Sequence, residues 1–223
     1  MLQLKNITKS YGEPGASSYH TVLNKLSFTI GKGEKVAVVG PSGCGKTTFL
    51  NIAGALDIPD KGEIYFDGNA ITDFTKNGMA EFRNRQLGFI FQMHHLLPQL
   101  SLIENVMLPL IPHSKNVEKE DKEWAGHLLN KAGIWEQRNQ KPAELSGGEC
   151  QRTAVVRSLI NKPKLILADE PTGALDEKNA ENISSLLLSL SEEQNTSLVI
   201  VTHSRILSAR MDKSYTLKNG ALV

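Results

Sequence analysis

The sequence predicts an α/β fold, a parallel sheet with crossover helices into which a separate helical stretch is set. Three observations predict it. Short apolar runs recur at 36–39 (VAVV), 87–91 (LGFIF), 165–168 (LILA) and 198–201 (LVIV). Runs without polar alternation belong to strands buried on both faces, as in parallel sheets. Between them lie stretches of helical period. Ile183, Leu186, Leu187 and Leu190 stand at i, i+3, i+4 and i+7 and form one stripe. From about 93 to 162 every pattern is helical and none reads as a strand. Alternating strands and helices imply crossover connections.

Taken in order, the N-terminal MLQLKNITKSYG carries no apolar run like that of a signal peptide. Residues 12–18 are a loop by composition. The 36–39 strand leads into a Gly-rich segment and then a helix expected over 48–55. A polar helix starting near Glu118 carries Trp124, Leu128 and Leu129 on one side. We expect one domain over 1–223, with a core of about 1–92 and 163–223 and a helical subdomain of about 93–162. There is no internal repeat and no low-complexity tract.

Composition narrows the function. The 223 residues are 40% hydrophobic and 22% charged, an ordinary globular balance. Lys plus Arg is 25 and Asp plus Glu is 24, a net charge of +1, which argues against a nucleic-acid binder. Two cysteines, Cys44 and Cys150, make neither a disulfide framework nor a four-ligand zinc site. No apolar stretch approaches the ~18 residues of a membrane span. We therefore expect a soluble chain, whose membrane role, if any, needs spans from another chain.

Gly40-Pro41-Ser42-Gly43-Cys44-Gly45-Lys46-Thr47 fits G-x-x-x-x-G-K-[ST] and stands between a strand and a helix, the context the motif needs. Glycines let backbone N–H groups wrap phosphates, and the following helix points its positive end at them. Lys46 supplies a point charge and the Thr47 hydroxyl a Mg²⁺ ligand. Leu165 to Ala168 end in Asp169 and Glu170. Asp169 suits a Mg²⁺ held through water, and Glu170 suits the base that takes a proton from attacking water.

Leu145-Ser146-Gly147-Gly148-Glu149 follows, with Ser146 100 residues after Lys46. Here the sequence resembles the ABC ATPase family, whose signature is LSGGQ-like. The motif offers a second anion site at the start of a helix expected near Glu149. The resemblance implies a RecA-like sheet core, an antiparallel β part and the inserted helical subdomain. It implies ATP and Mg²⁺ as cofactors, and a homodimer formed head to tail around two Mg-ATP, in which Ser146, Gly147, Gly148 and Glu149 act on the partner's ATP. It places Tyr11 against adenine, Val22 and Thr48 beside the nucleotide, Gln92 on Mg²⁺ and the attacking water, His203 on the γ-phosphate, and Asp176 on a loop at the dimer interface. Within the family the chain looks closest to the macrolide-export and lipoprotein-release branch (MacB/LolD-type), on the motifs at 91–98, 102–110 and 171–176. That branch implies a membrane permease with few spans, an extracytoplasmic adaptor in some members, a place on the cytoplasmic side of the membrane, and no nucleic acid. Position 149 is Glu where Gln is commoner, and Cys150 stands where the family usually has Gln.

Two other readings compete with this one. The ATPase of a cell-division-type signalling complex, moving no cargo, would carry nearly the same chain. DNA-repair ATPases of this kind need long coiled coils between phosphate loop and signature, for which the 100-residue gap leaves no room. The cargo is not written in the sequence. The apolar stretch 93–112, where only Glu104 is ionised at neutral pH, is expected to form a groove near Leu96, Leu97 and Leu100 that docks the permease. Cys44 and Cys150 are expected to approach each other across the dimer.

Overall fold

A computed structural model describes residues 1–13, 15–113 and 118–223, with His113 described in its backbone only. Pro14 of the expected loop and residues 114–117 of the expected helical stretch lie outside the described residues. The strands are β1 (Leu2–Tyr11), β2 (His20–Ile30), β3 (Lys35–Val39), β4 (Lys61–Phe66), β5 (Asn69–Ala70), β6 (Leu87–Ile90), β7 (Leu165–Asp169), β8 (Ser197–Thr202), β9 (Lys213–Lys218) and β10 (Ala221–Leu222). The helices are α1 (Lys46–Ala53), α2 (Lys76–Gln86), α3 (Leu102–Met107), α4 (Lys119–Lys131), α5 (Gly147–Leu159), α6 (Glu177–Glu193) and α7 (Arg205–Ser208). The chain divides into two compact units, residues 1–83 with 197–223, and residues 84–196.

In the first unit β1 runs antiparallel between β2 and β4, and β5 pairs with β4. Leu2, Leu4, Ile7, Leu23, Leu26 and Ile30 are wholly buried, each worth about 1.5–3 kcal/mol of transfer free energy. β3 lies parallel to β8 on one side and β9 on the other. Val36, Ala37, Val38 and Leu198 to Val201 show no exposed surface, which accounts for their lack of polar alternation. Phe49 of α1 meets Phe28 edge to face, with ring centroids 5.1 Å apart.

In the second unit β6 and β7 are parallel, Leu87 opposite Leu165 and Ile90 opposite Ala168. α5 crosses so close to β6 that a Cβ on Gly88 would lie 2.2 Å from the Ser158 carbonyl oxygen. α3, α4 and α5 bury Leu102, Val106, Leu128, Leu129, Val155 and Leu159 against one another. Among the described residues 93–162 contains no strand. α6 buries Ile183, Leu187 and Leu190, with Leu186 at the half-buried margin of the stripe.

Three boundaries differ from expectation, each for a local reason. α1 occupies Lys46–Ala53 rather than 48–55, because left-handed Gly45 (φ 102) starts it early and Ala55 (φ 52) turns the chain out. The 87–91 strand ends at Ile90. α5 starts at Gly147 rather than near Glu149, because Ser146 caps it.

Candidate functional site

In the first unit Val39 lies opposite Thr202, so the residues that follow, Gly40 and His203, leave the sheet at the same edge. The loop 40–47 is closed by tight contacts that only glycine permits. A Cβ on Gly40 would meet Cys44 Sγ at 2.7 Å and the Leu217 carbonyl oxygen at 2.8 Å. Gly45 is the N-cap of α1, and α1 has neither a side-chain cap nor an acid in its first turn. The N-cap Gly45 therefore offers no side chain to the first-turn amides of Lys46 and Thr48. Lys46 Nζ donates to the carbonyls of Gly40 (2.8 Å) and Pro41 (3.0 Å), poised above the loop. Ser42 and Gly43 are exposed, as is His203.

Tyr11 ends β1 and is 38% exposed. Its hydroxyl donates to Asp57 Oδ2 at 3.0 Å, Lys9 Nζ donates to Asp57 Oδ1 at 2.7 Å, and Lys9 Nζ also lies 5.3 Å from the Tyr11 ring centroid. Burial pushes the Asp57 carboxyl up, but hydrogen bonds from Lys9, the Ile58 amide and Tyr11 outweigh it and hold the group below the usual carboxylate range. Val22 Cγ1 lies 2.7 Å from where a Gly45 Cβ would be, so β2 rests against the phosphate loop.

In the second unit the paired ends of β6 and β7 release Gln92 on one side and Asp169 and Glu170 on the other. Glu170 has φ 43, and its carbonyl accepts from the Gly173 amide at 3.0 Å. That turn brings the neighbours together: a Cβ on Gly173 would lie 3.4 Å from both Gln92 Nε2 and Glu170 Cβ. Ser146 and Glu149 form a capping box. Glu149 Oε2 accepts from the Ser146 amide (2.8 Å) and hydroxyl (2.7 Å), and these bonds hold the Glu149 carboxyl below its usual range. Asp176 caps α6, accepting from the Asn179 amide at 3.0 Å and from Asn179 Nδ2 at 2.6 Å, which lowers its pKa too. A Cβ on Gly148 would sit 3.3 Å from Asn179 Oδ1, so Asn179 joins signature and Asp176 loop.

Two expected features differ in the structure. Cys150 is buried with its thiol 3.7 Å from the Pro142 carbonyl, and burial pushes its pKa up, so it presents no thiol to a partner. The Ser146 amide is already engaged, leaving the Gly147 and Gly148 amides as the donors of the signature.

The sequence did not point to Asp57, Asn105 or Asn179. Asn105, wholly buried, accepts from the Leu97 amide (2.7 Å) and donates to the carbonyls of Leu97, Leu100 and Ser101. It fixes a loop on which Leu97 stays 46% exposed and Leu96 and Leu100 are half-buried. The polar pair Glu104-Asn105 within the apolar stretch 102–108 was the one available signal.

The model of the family described as "ABC transporter" matches residues 23–173. The chain belongs to the ABC transporter family. A lipoprotein-releasing system ATP-binding protein LolD of Francisella tularensis subsp. tularensis (strain FSC 198) is 46% identical over 222 residues, 100% of this chain and 95% of that protein. The LolD of Rickettsia bellii (strain RML369-C) is also 46% identical, over 100% of this chain and 97% of its own length. A solved ATP-binding cassette, dimeric, in a post-hydrolysis state and bound to ADP and Pi, matches with TM-score 0.90 and 39% identity, covering 100% of this chain and 96% of that one. The chain has the ABC ATPase fold expected from its motifs, lies in the branch that contains LolD, and is an ATPase. No helix among the described residues is long and apolar enough to cross a membrane.

Proposed function

We propose that this ABC ATPase dimerises head to tail around two Mg-ATP and drives a membrane permease in lipoprotein release or related export, as a peripheral subunit on the cytoplasmic face. The observation that carries the reading is the start of α1. Its first turn has no side-chain cap, it is entered through left-handed Gly45, and Lys46 stands over it. A helix end of that kind is completed by an anion.

The residues 40–48 hold the phosphates of ATP, with Lys46 neutralising the terminal ones. Tyr11, braced by Asp57, stacks on the base, and Val22 borders the nucleotide. Thr47, Gln92 and, through water, Asp169 are the hard oxygen donors that suit Mg²⁺, an ion that takes one or two protein ligands beside phosphate oxygens. When bound, Mg²⁺ neutralises charge that develops on the phosphates. Glu170 removes a proton from the attacking water, Gln92 orients that water, and His203 hydrogen-bonds the γ-phosphate. Ser146, Gly147, Gly148 and Glu149 face the partner's ATP, with Asp176 at the interface. The relatives named LolD and the dimeric cassette bound to ADP and Pi support this assignment.

Glu170→Gln tests the chemistry. It should bind ATP while turnover falls roughly 10²–10⁴-fold, and it should run as a dimer on gel filtration with Mg-ATP. A monomeric or fully active variant sinks the assignment. The loop that Asn105 fixes is the proposed seat for an amphipathic cytoplasmic helix of the permease, with Leu97 as its apolar contact. Leu97→Asp should keep ATP binding by the isolated subunit and lose co-purification with the permease. Normal assembly of the variant places the seat elsewhere.

A further inference from the structure

We propose that His20 reads the base of the nucleotide. Its unprotonated ring nitrogen accepts a hydrogen bond from the 6-amino group of adenine and so favours ATP over 6-oxopurine nucleotides. The proposal rests on Tyr11 being the base platform.

The pairing of β1 with β2 places His20. Tyr11 lies opposite His20, Ser10 opposite Thr21, and Lys9 opposite Leu23, so Val22 is an extra residue in β2. An extra residue is a bulge, which turns its side chain out of the ordinary alternation. The hydroxyls of Ser10 and Thr21 meet at 3.1 Å on one face of the pair. Their neighbours Tyr11 and His20 therefore project from the other face, where the rings stand 6.2 Å apart, tilted by 41°. β2 also meets the phosphate loop. Val22 Cγ1 and Leu23 Cδ2 approach the position of a Gly45 Cβ to 2.7 and 3.5 Å. β2 thus runs from the phosphate loop to the pair of rings, and a nucleotide whose phosphates lie on α1 has its base at the His20 end.

The chemistry of the ring follows from its other neighbour. His20 Nδ1 lies 3.0 Å from the Ser18 carbonyl oxygen. A carbonyl only accepts, so that nitrogen carries the hydrogen, and in the neutral ring Nε2 keeps its lone pair. The loop is shaped to present this carbonyl. Gly12 takes φ +89, and a Cβ there would strike the Ser18 oxygen at 2.7 Å. The Tyr19 amide closes the turn on the Ala16 carbonyl at 3.0 Å. Stacking on Tyr11 accepts any purine, since every base has a π-face. An edge-on acceptor discriminates: it pairs with the amino group of adenine and repels the 6-oxygen of hypoxanthine or guanine.

The test is titration calorimetry of the full 223-residue chain with ATP and with inosine triphosphate, in EDTA so that no hydrolysis occurs. Wild type should bind ATP about two- to tenfold more tightly than inosine triphosphate, the range of one neutral hydrogen bond. His20→Ala should weaken ATP, slightly tighten inosine triphosphate by removing the repulsion, and so abolish the preference. His20→Gln, which keeps an acceptor, should retain the preference, and His20→Lys, which offers only donors, should reverse it. His20 is exposed, so these variants fold. The proposal is overturned if His20→Ala keeps the wild-type ratio or weakens both nucleotides alike. Tyr11→Ala should weaken both nucleotides equally. If it changes neither, the platform reading falls by itself, and His20 is judged on its own ratio.

Discussion

The N-termini of α1 and α5 are assigned to the same chemical task, yet they are built in opposite ways. α1 begins at a glycine in the left-handed region with no side-chain cap and no acid in its first turn. α5 begins at Ser146, which exchanges hydrogen bonds with Glu149 in a closed capping box. The same box, Ser101 with Glu104, starts α3, to which no phosphate is assigned. The box is therefore a stability device, and its carboxylate offsets part of the positive helix end. On the proposed reading, α1 holds phosphate unaided, while α5, with its box closed, offers the Gly147 and Gly148 amides to a phosphate brought by another subunit.

The strongest way to break this contrast is Gly45→Ala. The new Cβ would strike Val22 Cγ1 at 2.7 Å, in a residue held at φ +102. Left-handed strain of about 1–3 kcal/mol, in a chain of this size, should lower the melting temperature by about 2–12 °C. ATP binding by the monomer should be lost, as calorimetry would show. Retained binding would mean that the entry geometry of α1 does not hold the phosphates.

A smaller change isolates the signature. A Cβ on Gly147 meets nothing within 4 Å, so Gly147→Ala should melt within about 0.5 kcal/mol of wild type. ATP binding by the monomer should be unchanged, while steady-state hydrolysis falls at least tenfold, about 1.4 kcal/mol, because the methyl group occupies the approach of the partner's phosphate. Wild-type turnover in this variant would remove Gly147 from the site.

The smallest effect sharpens the account of the box. The folded-state pKa of Glu149 is lowered, first by the Ser146 hydroxyl and then by the Ser146 amide. A carboxylate with a lowered folded pKa stabilises fully above its unfolded value and loses that contribution as pH falls through the folded one. Glu149→Gln keeps the hydrogen-bonding shape of the box and removes the charge near the helix end, worth about 0.3–1 kcal/mol. Near pH 7 the variant should melt slightly below wild type. The two curves should converge as pH falls below 4.5, the ordinary value for this carboxyl. A gap that persists at lower pH would show that shape, not charge, separates Glu from Gln here.

Much of the chain was legible before its structure. The apolar runs at 36–39, 87–90, 165–168 and 198–201 form strands because nothing in them suits a wet face, and all lie in parallel pairs or buried positions. Phosphate loop, carboxylate pair and signature are local motifs, with spacing fixed by the backbone that each must adopt. Residues whose value depends on distant partners were not legible. Asp57 steadies Tyr11 across 46 positions, and Asn105 serves three carbonyls in the preceding loop. Neither carries a pattern that periodicity or spacing reads.

The sequence by itself therefore determined the fold class and the membership of the ABC family and marked the segments proposed to meet the nucleotide, since these rest on period, composition and short-range backbone geometry. Tertiary structure decided how those segments are set. The register of β3 on β8 put His203 beside the phosphate loop, and that of β6 on β7 put Gln92 beside Glu170. The register of β1 on β2 put Tyr11 beside His20, and the bulge at Val22 brought Val22 and Leu23 together against Gly45. The physical reason is that register and bulges are set by packing between segments far apart in the chain, where one residue of slip sends a side chain to the opposite face.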